Sequence, residues 1–223
     1  MAETDTKSPR ERYRTQVRTE IKERAWEQIA TAGASALSLN AIAKQMGMSG
    51  PALYRYYAGR DELITELIRD AYRSLADTLR SASAAGADLA ALAHTIRRWA
   101  LEDPQRYLLI YGTPVPGYHA PDDITLISSE TMAILLDACA APFADAPATP
   151  FDAHLAEHRE WAGGHPASPA ALRHALIFWT RLHGVLSLEL AGHFTGMGFD
   201  PALLFSAELD HLSAHRSPEP DST

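Results

Sequence analysis

The sequence is short of cysteine, of long apolar runs and of strand-like alternation, and each shortage excludes a class of protein. Cys139 is the only cysteine in 223 residues, so the chain can form neither an intrachain disulfide nor a thiolate metal cluster. No apolar stretch is long enough to span a bilayer, and the polar start MAETDTKSPRERYR lacks the apolar core of a signal peptide. We therefore expect a cytoplasmic protein that does not act at a membrane.

The composition is that of a chain that folds around a core. Hydrophobic residues make up 46% of the sequence and charged residues 22%, which is ordinary for a globular protein. The net charge of −8 is unevenly distributed, because residues 7–60 carry ten basic and four acidic side chains while the remainder is strongly acidic. A basic head on an acidic body is the pattern expected when one small region contacts phosphates.

Helical spacing of apolar residues runs through almost the whole chain. Val17, Ile21, Ala25 and Ile29, for example, recur every four residues, and no alternating pattern competes with this spacing. The sequence therefore predicts an all-α protein of nine to ten helices. The predicted helices cover residues 11–31, 39–46, 51–57, 59–83, 88–102, 104–111, 122–141, 151–161, 169–191 and 201–215.

Residues 38–63, SLNAIAKQMGMSGPALYRYYAGRDEL, have the layout of a helix-turn-helix. Ser38 can cap the first short helix, Gly47 permits the turn, and Pro51 falls in the first turn of the second helix, where its missing N–H costs nothing. A second helix held in this way can place its N-terminal residues against base edges in a major groove. The apolar wedge between the two helices is expected to be Ile42, Ala43, Met46, Met48 and Leu53.

The pattern A-I-A-K-x-M-G-M-S-x-P-A-L-Y-R-Y-Y-x-G-R-D-E-L resembles the helix-turn-helix of TetR-family regulators, and the similarity extends over residues 11–80. Asn and Arg side chains can pair with adenine and guanine edges, whereas hydroxyls and cations suit phosphate oxygens. The resemblance implies base or groove contacts from Asn40, Gly50, Pro51, Ala52 and Arg55. It implies phosphate contacts from Ser38, Lys44, Tyr54, Tyr56 and Arg60, and we include Ser49 at the start of the second helix.

Some of these positions also fit other roles. Ala52 stands where the family often has Thr, so it offers only a methyl contact, and Arg60 replaces a frequent Lys without losing the charge. Taken singly, Tyr54 and Tyr56 fit half-buried packing, and Arg55 fits a solvated surface charge. The complete pattern favours the DNA-binding interpretation.

A basic arm precedes the motif, and two roles are open for it. Its arginines can reach into the minor groove, or they can supply general electrostatic attraction to the DNA backbone, which the sequence favours. The residues of this arm are Arg10, Arg12, Arg14 and Arg18.

Residues 178–190 contain the spacing W-x-x-x-H-G at Trp179, His183 and Gly184. This is similar to the signature of one group of TetR C-terminal domains, and the resemblance implies one of two long helices that form a four-helix dimer interface. The segment is apolar nearly all round, and a single surface helix could bury such a surface only between partners on two sides. The expected interface residues are Trp179, Leu182, Val185, Leu186, Leu190, Leu204 and Leu209.

Aromatic and hydrogen-bonding residues of the C-terminal part are candidates to line an effector cavity, because helical bundles place pockets between their helices. Each of them also fits plain core packing, and His183 also fits a hydrogen bond across the dimer contact. The candidates are Trp99, Tyr107, Tyr111, Tyr118, His119, Met132, Phe143, Phe178 and His183. The sequence does not identify the small molecule and shows no cofactor motif.

An alternative from another class rests on His154, Glu157 and His158, which form the H-x-x-E-H pattern of inverted zinc hydrolases. The match is weak, because His211 and His215 repeat the spacing without the Glu and an exposed amphipathic turn explains both pairs. We therefore expect no enzyme and no bound metal.

The expected organisation is a disordered tail at 1–9, a helix-turn-helix domain at 10–62, a ligand-binding and dimerisation domain at 63–215, and a disordered tail at 216–223. We expect a homodimeric repressor that binds a pseudo-palindromic operator and is released by a small-molecule effector. Two alternatives stay open: a C-terminal domain that serves assembly only, and activation instead of repression.

Overall fold

The structure is a computed structural model that describes residues 8–112, 114–115, 117–140, 143 and 148–214. Within these ranges every regular element is helical, which confirms the predicted all-α class and number of helices. The α-helices are α1 (Pro9–Ala32), α2 (Leu39–Gln45), α3 (Gly50–Leu53), α4 (Arg60–Ala84), α5 (Leu89–Glu102), α6 (Pro104–Tyr111), α7 (Asp122–Ala140), α8 (Pro150–Glu157), α9 (Pro169–Leu190) and α10 (Pro201–Ala214). Short 3-10 helices cover Ala34–Ala36 and Glu160–Ala162.

Local capping determines several of the helix starts. Ser38 Oγ accepts the backbone N–H of Ala41 at 3.3 Å, which caps α2 as predicted. Ser8 and Glu11 form a reciprocal capping box, so α1 begins at Pro9, inside the predicted N-terminal tail. The remainder of that tail, the tail at 216–223 and the predicted last residue of α10, His215, lie outside the described residues.

The third helix is shorter than its apolar spacing predicts. α3 ends at Leu53 and not at Tyr57, because the backbone tightens into a turn in which Tyr56 N–H donates to Leu53 O at 2.8 Å. Gly33 ends α1 with a positive φ of 78°, a value that favours glycine, and its backbone N–H donates to Ile29 O.

The eighth helix also differs from the prediction. α8 ends at Glu157, since His158 has φ −126° and ψ 64° and leaves the helical conformation. The predicted continuation to residue 161 is therefore wrong, and Glu160–Ala162 forms a separate 3-10 turn.

The described residues pack into two compact units. The first consists of residues 8–68, 114–115 and 117–120, and the second of residues 69–112, 121–140, 143 and 148–214. The division falls within α4, so one continuous helix contributes residues to both units.

The core of the first unit begins with the stripe predicted on α1. Val17, Ile21, Ala25 and Ile29 are all buried at four-residue spacing. Further buried side chains come from the short helices, the following turn and the start of α4. They are Leu39, Ile42, Ala43, Leu53, Tyr57, Leu63, Ile64 and Leu67.

In the second unit α9 is the central element and packs against α5, α6, α7, α8 and α10. One apolar cluster includes Tyr107, Leu135, Phe178 and Phe205. A second cluster lies around Cys139, which is fully buried as expected of a small core residue. Among the described helices, we find none whose length and apolar character would allow it to cross a membrane.

Candidate nucleic-acid interface

The turn between α2 and α3 is built around Gly47. Its φ of 65° lies in the left-handed region that favours glycine, and the next N–H, that of Met48, donates to Ala43 O at 2.8 Å. Ile42, Ala43 and Leu53 are at most 2% exposed, and α2 packs directly against α3. The predicted wedge is therefore present, with Met46 and Met48 half-buried at its edge.

The outer face of α3 and of the turn that follows it is open to solvent. Ser49, Pro51, Tyr54 and Arg55 are exposed, and Tyr54 keeps 46% of its surface accessible despite its aromatic ring. Exposed aromatic surface of this size beside a cation is unusual on a residue that serves only packing. This face is free to contact a large anionic partner.

Asn40 on α2 lies beside Gly50 at the start of α3. A Cβ built on Gly50 would lie 3.4 Å from Asn40 Oδ1, which is van der Waals contact. The two residues therefore present adjacent groups on this surface. Ala52 and Tyr56 are half-buried next to this surface.

The residues expected to contact phosphates are only partly free. Lys44 is exposed, whereas the backbone N–H of Ser38 donates to Gln28 Oε1 at 2.9 Å and its hydroxyl caps α2. Arg60 Nη2 donates to Ala34 O at 2.9 Å, and Arg60 Nη1 lies 3.6 Å from an oxygen of Asp61. Arg60 carries five N–H donors, so part of its donor set is left for a phosphate.

The basic arm is helical in its described part. Arg10, Arg12 and Arg14 are exposed on the first turns of α1. The minor groove is only about 6 Å wide and does not admit a helix. The helical conformation therefore favours attraction to the backbone over insertion into that groove. Arg18, in contrast, is engaged within the first unit.

An aromatic cluster in the second unit brings together several effector candidates. The ring of Tyr111 lies 4.2 Å from that of His183, 5.2 Å from Tyr107 and 5.9 Å from Trp179, measured between centroids. Tyr72, which the sequence analysis missed, packs edge-on against Tyr111 at 6.0 Å. Phe178 is buried in the same core.

Burial keeps this cluster uncharged near neutral pH. Desolvation lowers the pKa of His183 from 6.5 to about 4 and raises the pKa of Tyr107 to about 12. The pKa of Tyr111 is also raised, mainly by burial. The cluster therefore combines apolar rings with neutral hydrogen-bonding groups.

The other effector candidates make different contacts. Trp99 belongs to the same apolar cluster as Tyr107 and Phe178, and its Nε1 donates to Ser74 Oγ at 3.1 Å. Phe143 stacks on His174 at 3.7 Å in the second apolar cluster, against which Met132 packs. Tyr118 and His119 belong to the first unit, where Tyr118 Oη bonds Thr65 Oγ1 at 3.2 Å.

The predicted dimer residues divide into two groups. Leu182, Leu186 and Leu209 are at most 5% exposed within the protomer, so a second chain has no access to them. Trp179, Val185, Leu190 and Leu204 are half-buried. The accessible face of α9 and α10 is a shallow groove lined by Arg181, Gly184, Val185, Leu188, Ala207, Glu208 and His211.

The H-x-x-E-H segment does not form the helical metal-binding arrangement. His158 lies beyond the end of α8, its ring stacks on that of His154 at 4.1 Å, and its Nδ1 is 3.0 Å from His154 O. Across the described ranges, no three His, Cys, Asp or Glu side chains are placed to hold a metal ion together.

Comparisons with known proteins identify the family. Residues 21–67 match the model for bacterial regulatory proteins of the tetR family, and residues 89–212 match the model for a tetracyclin repressor-like C-terminal domain. The chain belongs to the TetR family. As TetR-family proteins are DNA-binding transcriptional regulators and not enzymes, the zinc-hydrolase alternative is wrong.

Curated relatives of this TetR-family chain are similar to it in sequence over nearly its whole length. The HTH-type transcriptional regulators Rv1816 of Mycobacterium tuberculosis and Mb1846 of Mycobacterium bovis are each 35% identical over 230 aligned residues. The alignment covers 96% of this chain and 98% of each relative.

Solved structures agree as well. The crystal structure assigned to regulatory protein SCO4313 is 73% identical, covers 93% of this chain and 100% of its own, and superimposes with a TM-score of 0.87. A Rhodococcus sp. RHA1 protein of unknown function shares the fold at 22% identity and a TM-score of 0.64, covering 89% of this chain and 93% of its own.

Sequence reasoning on this TetR-family chain missed residues that act through distant partners. Gln28 Oε1 accepts the backbone N–H of Ser38, and Ser187 bonds Tyr107. Arg18, which the sequence places in the basic arm, donates instead to Tyr56 O in the turn after α3. The sequence does contain a hint of this contact. Arg18 directly follows Val17, which belongs to the buried stripe of α1, so its side chain starts at the border of the core. No comparable pattern marks Gln28 or Ser187.

Proposed function

We propose that this chain is a homodimeric cytoplasmic repressor that binds a pseudo-palindromic operator and is released from it by a small-molecule effector. The observation that carries the proposal is the open face of α3 and the following turn, where Tyr54 and Arg55 are exposed above the buried wedge. A short helix presented in this way fits a major groove.

Each exposed group has a role in this proposal. Arg55 and Asn40 contact base edges, since Arg suits guanine and Asn suits adenine. Lys44, Tyr54 and the remaining donors of Arg60 contact phosphates and set the register of the protein on the duplex. Gly50, Pro51 and Ala52 allow close approach of the backbone to the groove, while Ser38, Ser49 and Tyr56 contribute polar groups at its edge.

The accessible face of α9 and α10 supports dimerisation. Gly184 and Leu188 are exposed on α9, and Leu188 keeps 45% of its surface accessible although it is apolar. Apart from the backbone of α9 itself, no atom of the described residues lies within 4 Å of a Cβ built on Gly184, so the groove has room for a close helix of a second chain. Two recognition helices held by one dimer match the symmetry of a pseudo-palindrome.

The aromatic cluster around His183 supports effector binding. Apolar walls with a few convergent polar groups are typical of small-molecule sites, and Tyr107, His183 and Ser187 supply those groups. α4 is continuous between the two units, so a ligand that displaces this helix changes the spacing of the recognition helices. The required coupling is about 1–3 kcal/mol and comes from the differential affinity of the ligand for the two states.

The decisive experiment selects DNA fragments with purified protein from a genomic library and measures binding by fluorescence anisotropy. We expect a two-fold related motif bound at nanomolar concentrations and weakened as salt rises. Small molecules suggested by the neighbouring genes are then added, and one of them should release the DNA. Absence of any duplex binding in low salt would refute the proposal, while binding without any releasing ligand would leave an assembly-only C-terminal domain.

A further inference from the structure

Arg18 belongs to the basic arm by sequence, yet its guanidinium is engaged inside the first unit. Nη1 donates to Tyr56 O at 3.0 Å, and Nη2 lies 3.2 Å from Glu66 Oε2. The guanidinium carbon lies 4.4 Å from the centre of the Tyr57 ring, which is fully buried. One side chain of α1 thus contacts both the turn after α3 and the first half of α4.

These contacts fall on the turn that follows α3. α3 has only four residues and ends at Leu53, so Tyr56 lies in irregular backbone beyond the helix, where no regular hydrogen-bond ladder fixes the chain. The carbonyl of Tyr56 receives a charge-assisted hydrogen bond from Arg18, which is stronger than a neutral one. The turn fixed in this way carries Tyr54 and Arg55, whose side chains are exposed.

We propose that Arg18 is a positioning residue for DNA recognition and makes no phosphate contact of its own. It holds the turn from Tyr54 to Tyr56 at the angle that the major groove requires, and Glu66 holds Arg18 in place. This inference rests on the proposed operator binding by α2 and α3.

The salt dependence of DNA binding separates positioning from direct contact. A side chain that neutralises a phosphate adds about 0.9 to the slope of log K against log salt, whereas a residue that only orients others adds nothing. We therefore compare wild type, Arg18→Gln and Lys44→Gln on a fragment selected by the wild-type protein. Arg18→Gln should lower affinity about tenfold with an unchanged slope, whereas Lys44→Gln should lower the slope.

Replacement of Glu66 gives a second test, because simple electrostatics and the positioning role predict opposite changes in DNA affinity. Removal of a negative charge near DNA strengthens binding by simple electrostatics. If Glu66 holds Arg18 in position, Glu66→Gln should instead weaken binding. Glu23→Gln is the matched control, because Glu23 is an exposed carboxylate of α1, and it should bind DNA as well as wild type or more tightly.

The outcomes distinguish this inference from the proposed function. Failure of the wild-type protein to bind any duplex refutes the proposed function. If wild type binds normally, any one of three results refutes the positioning role alone. These results are a reduced slope for Arg18→Gln, an affinity of Arg18→Gln within about twofold of wild type, and tighter binding by Glu66→Gln than by wild type. Circular dichroism melting checks that each variant is folded, and Glu66→Gln keeps the inference testable if Arg18→Gln is not.

Discussion

The hydroxyl of Tyr107 lies 2.9 Å from Nδ1 of His183 and joins α6 to α9 inside an otherwise aromatic cluster. The same hydroxyl lies 3.0 Å from Ser187 Oγ, one turn further along α9. Because burial keeps the imidazole neutral and the phenol protonated, Nδ1 can accept a hydrogen bond from the Tyr107 hydroxyl. The contact therefore depends on the protonation state of His183.

Replacing His183 by Gln should remove an acid-sensitive part of the protein's stability. Its pKa is lowered from 6.5 to about 4, so the unfolded chain binds this proton more readily than the folded chain. Stability from the neutral imidazole is complete above the unfolded pKa and is lost as the pH falls from about 6.5 towards 4. Between about pH 7.5 and pH 5, the free energy of unfolding should fall by about 2 kcal/mol more in wild type than in His183→Gln.

Urea unfolding at the two pH values measures this difference. Gln at position 183 can still accept a hydrogen bond from Tyr107, so near-neutral far-ultraviolet spectra should match those of wild type. Equal losses of stability in the two proteins would mean that His183 titrates in the folded state as it does in water.

Lys44→Gln and Asn40→Ala should weaken operator binding in different ways. Loss of a phosphate contact from Lys44 should reduce affinity for all duplexes and lower the salt slope by about 0.9. Loss of the Asn40 amide should leave the slope unchanged and reduce discrimination at one base pair by about 1–3 kcal/mol. Anisotropy titrations on the selected operator and on single-base variants test both, and each mutant serves as the control for the other.

Two sets of ion pairs in the second unit should contribute differently to the free energy of unfolding. The side chains of Arg173 and Asp152 are 15% and 7% exposed, and their atoms Nε and Oδ1 are 2.8 Å apart. Asp152→Asn removes the carboxylate that pairs with the largely buried Arg173 and should cost about 3 kcal/mol of unfolding free energy, with little dependence on salt. Glu130, which pairs with Arg73 and Arg80 on the surface, is the contrast.

Glu130→Gln should cost less than about 1 kcal/mol, and the cost should vanish in about 1 M salt. Denaturant unfolding at low and high salt gives both numbers. A large, salt-resistant loss for Glu130→Gln would show that the surface pairs between α4 and α7 form a cooperative network.

The sequence predicts what neighbours in the chain determine and misses what distant partners determine. Ser38 caps α2 through the N–H of a residue three positions away, so both the cap and the helix start were predictable. The end of α3 was not, because residues up to Tyr57 keep helical spacing and the contact of the following turn with Arg18, 38 residues before Tyr56, leaves no trace in the local sequence. For the same reason Arg18 was assigned to the DNA-contacting arm.

Helix α9 gives a second example of a feature that distant partners determine and the sequence does not predict. A helix that is apolar nearly all round can bury one side in its own bundle and another against a second chain. The sequence pattern does not assign individual leucines to either side. Leu182 and Leu186 face the protomer core, whereas Leu188 is left exposed.

Gly184→Trp should break the dimer without unfolding the protomer. Outside the backbone of α9, a Cβ at Gly184 meets none of the described atoms within 4 Å, and the residue lies in the accessible groove of α9 and α10, so an indole fits the isolated chain. In a dimer formed through this groove, the same indole occupies the space of the partner helix and overpacks the interface. Sedimentation velocity should show a monomer with wild-type helix content, and operator affinity should fall by at least about a hundredfold, because one recognition helix binds without the other. Ala156→Trp adds the same ring at an exposed position of α8 and should leave both properties unchanged. A dimeric Gly184→Trp protein would place the interface elsewhere on the chain.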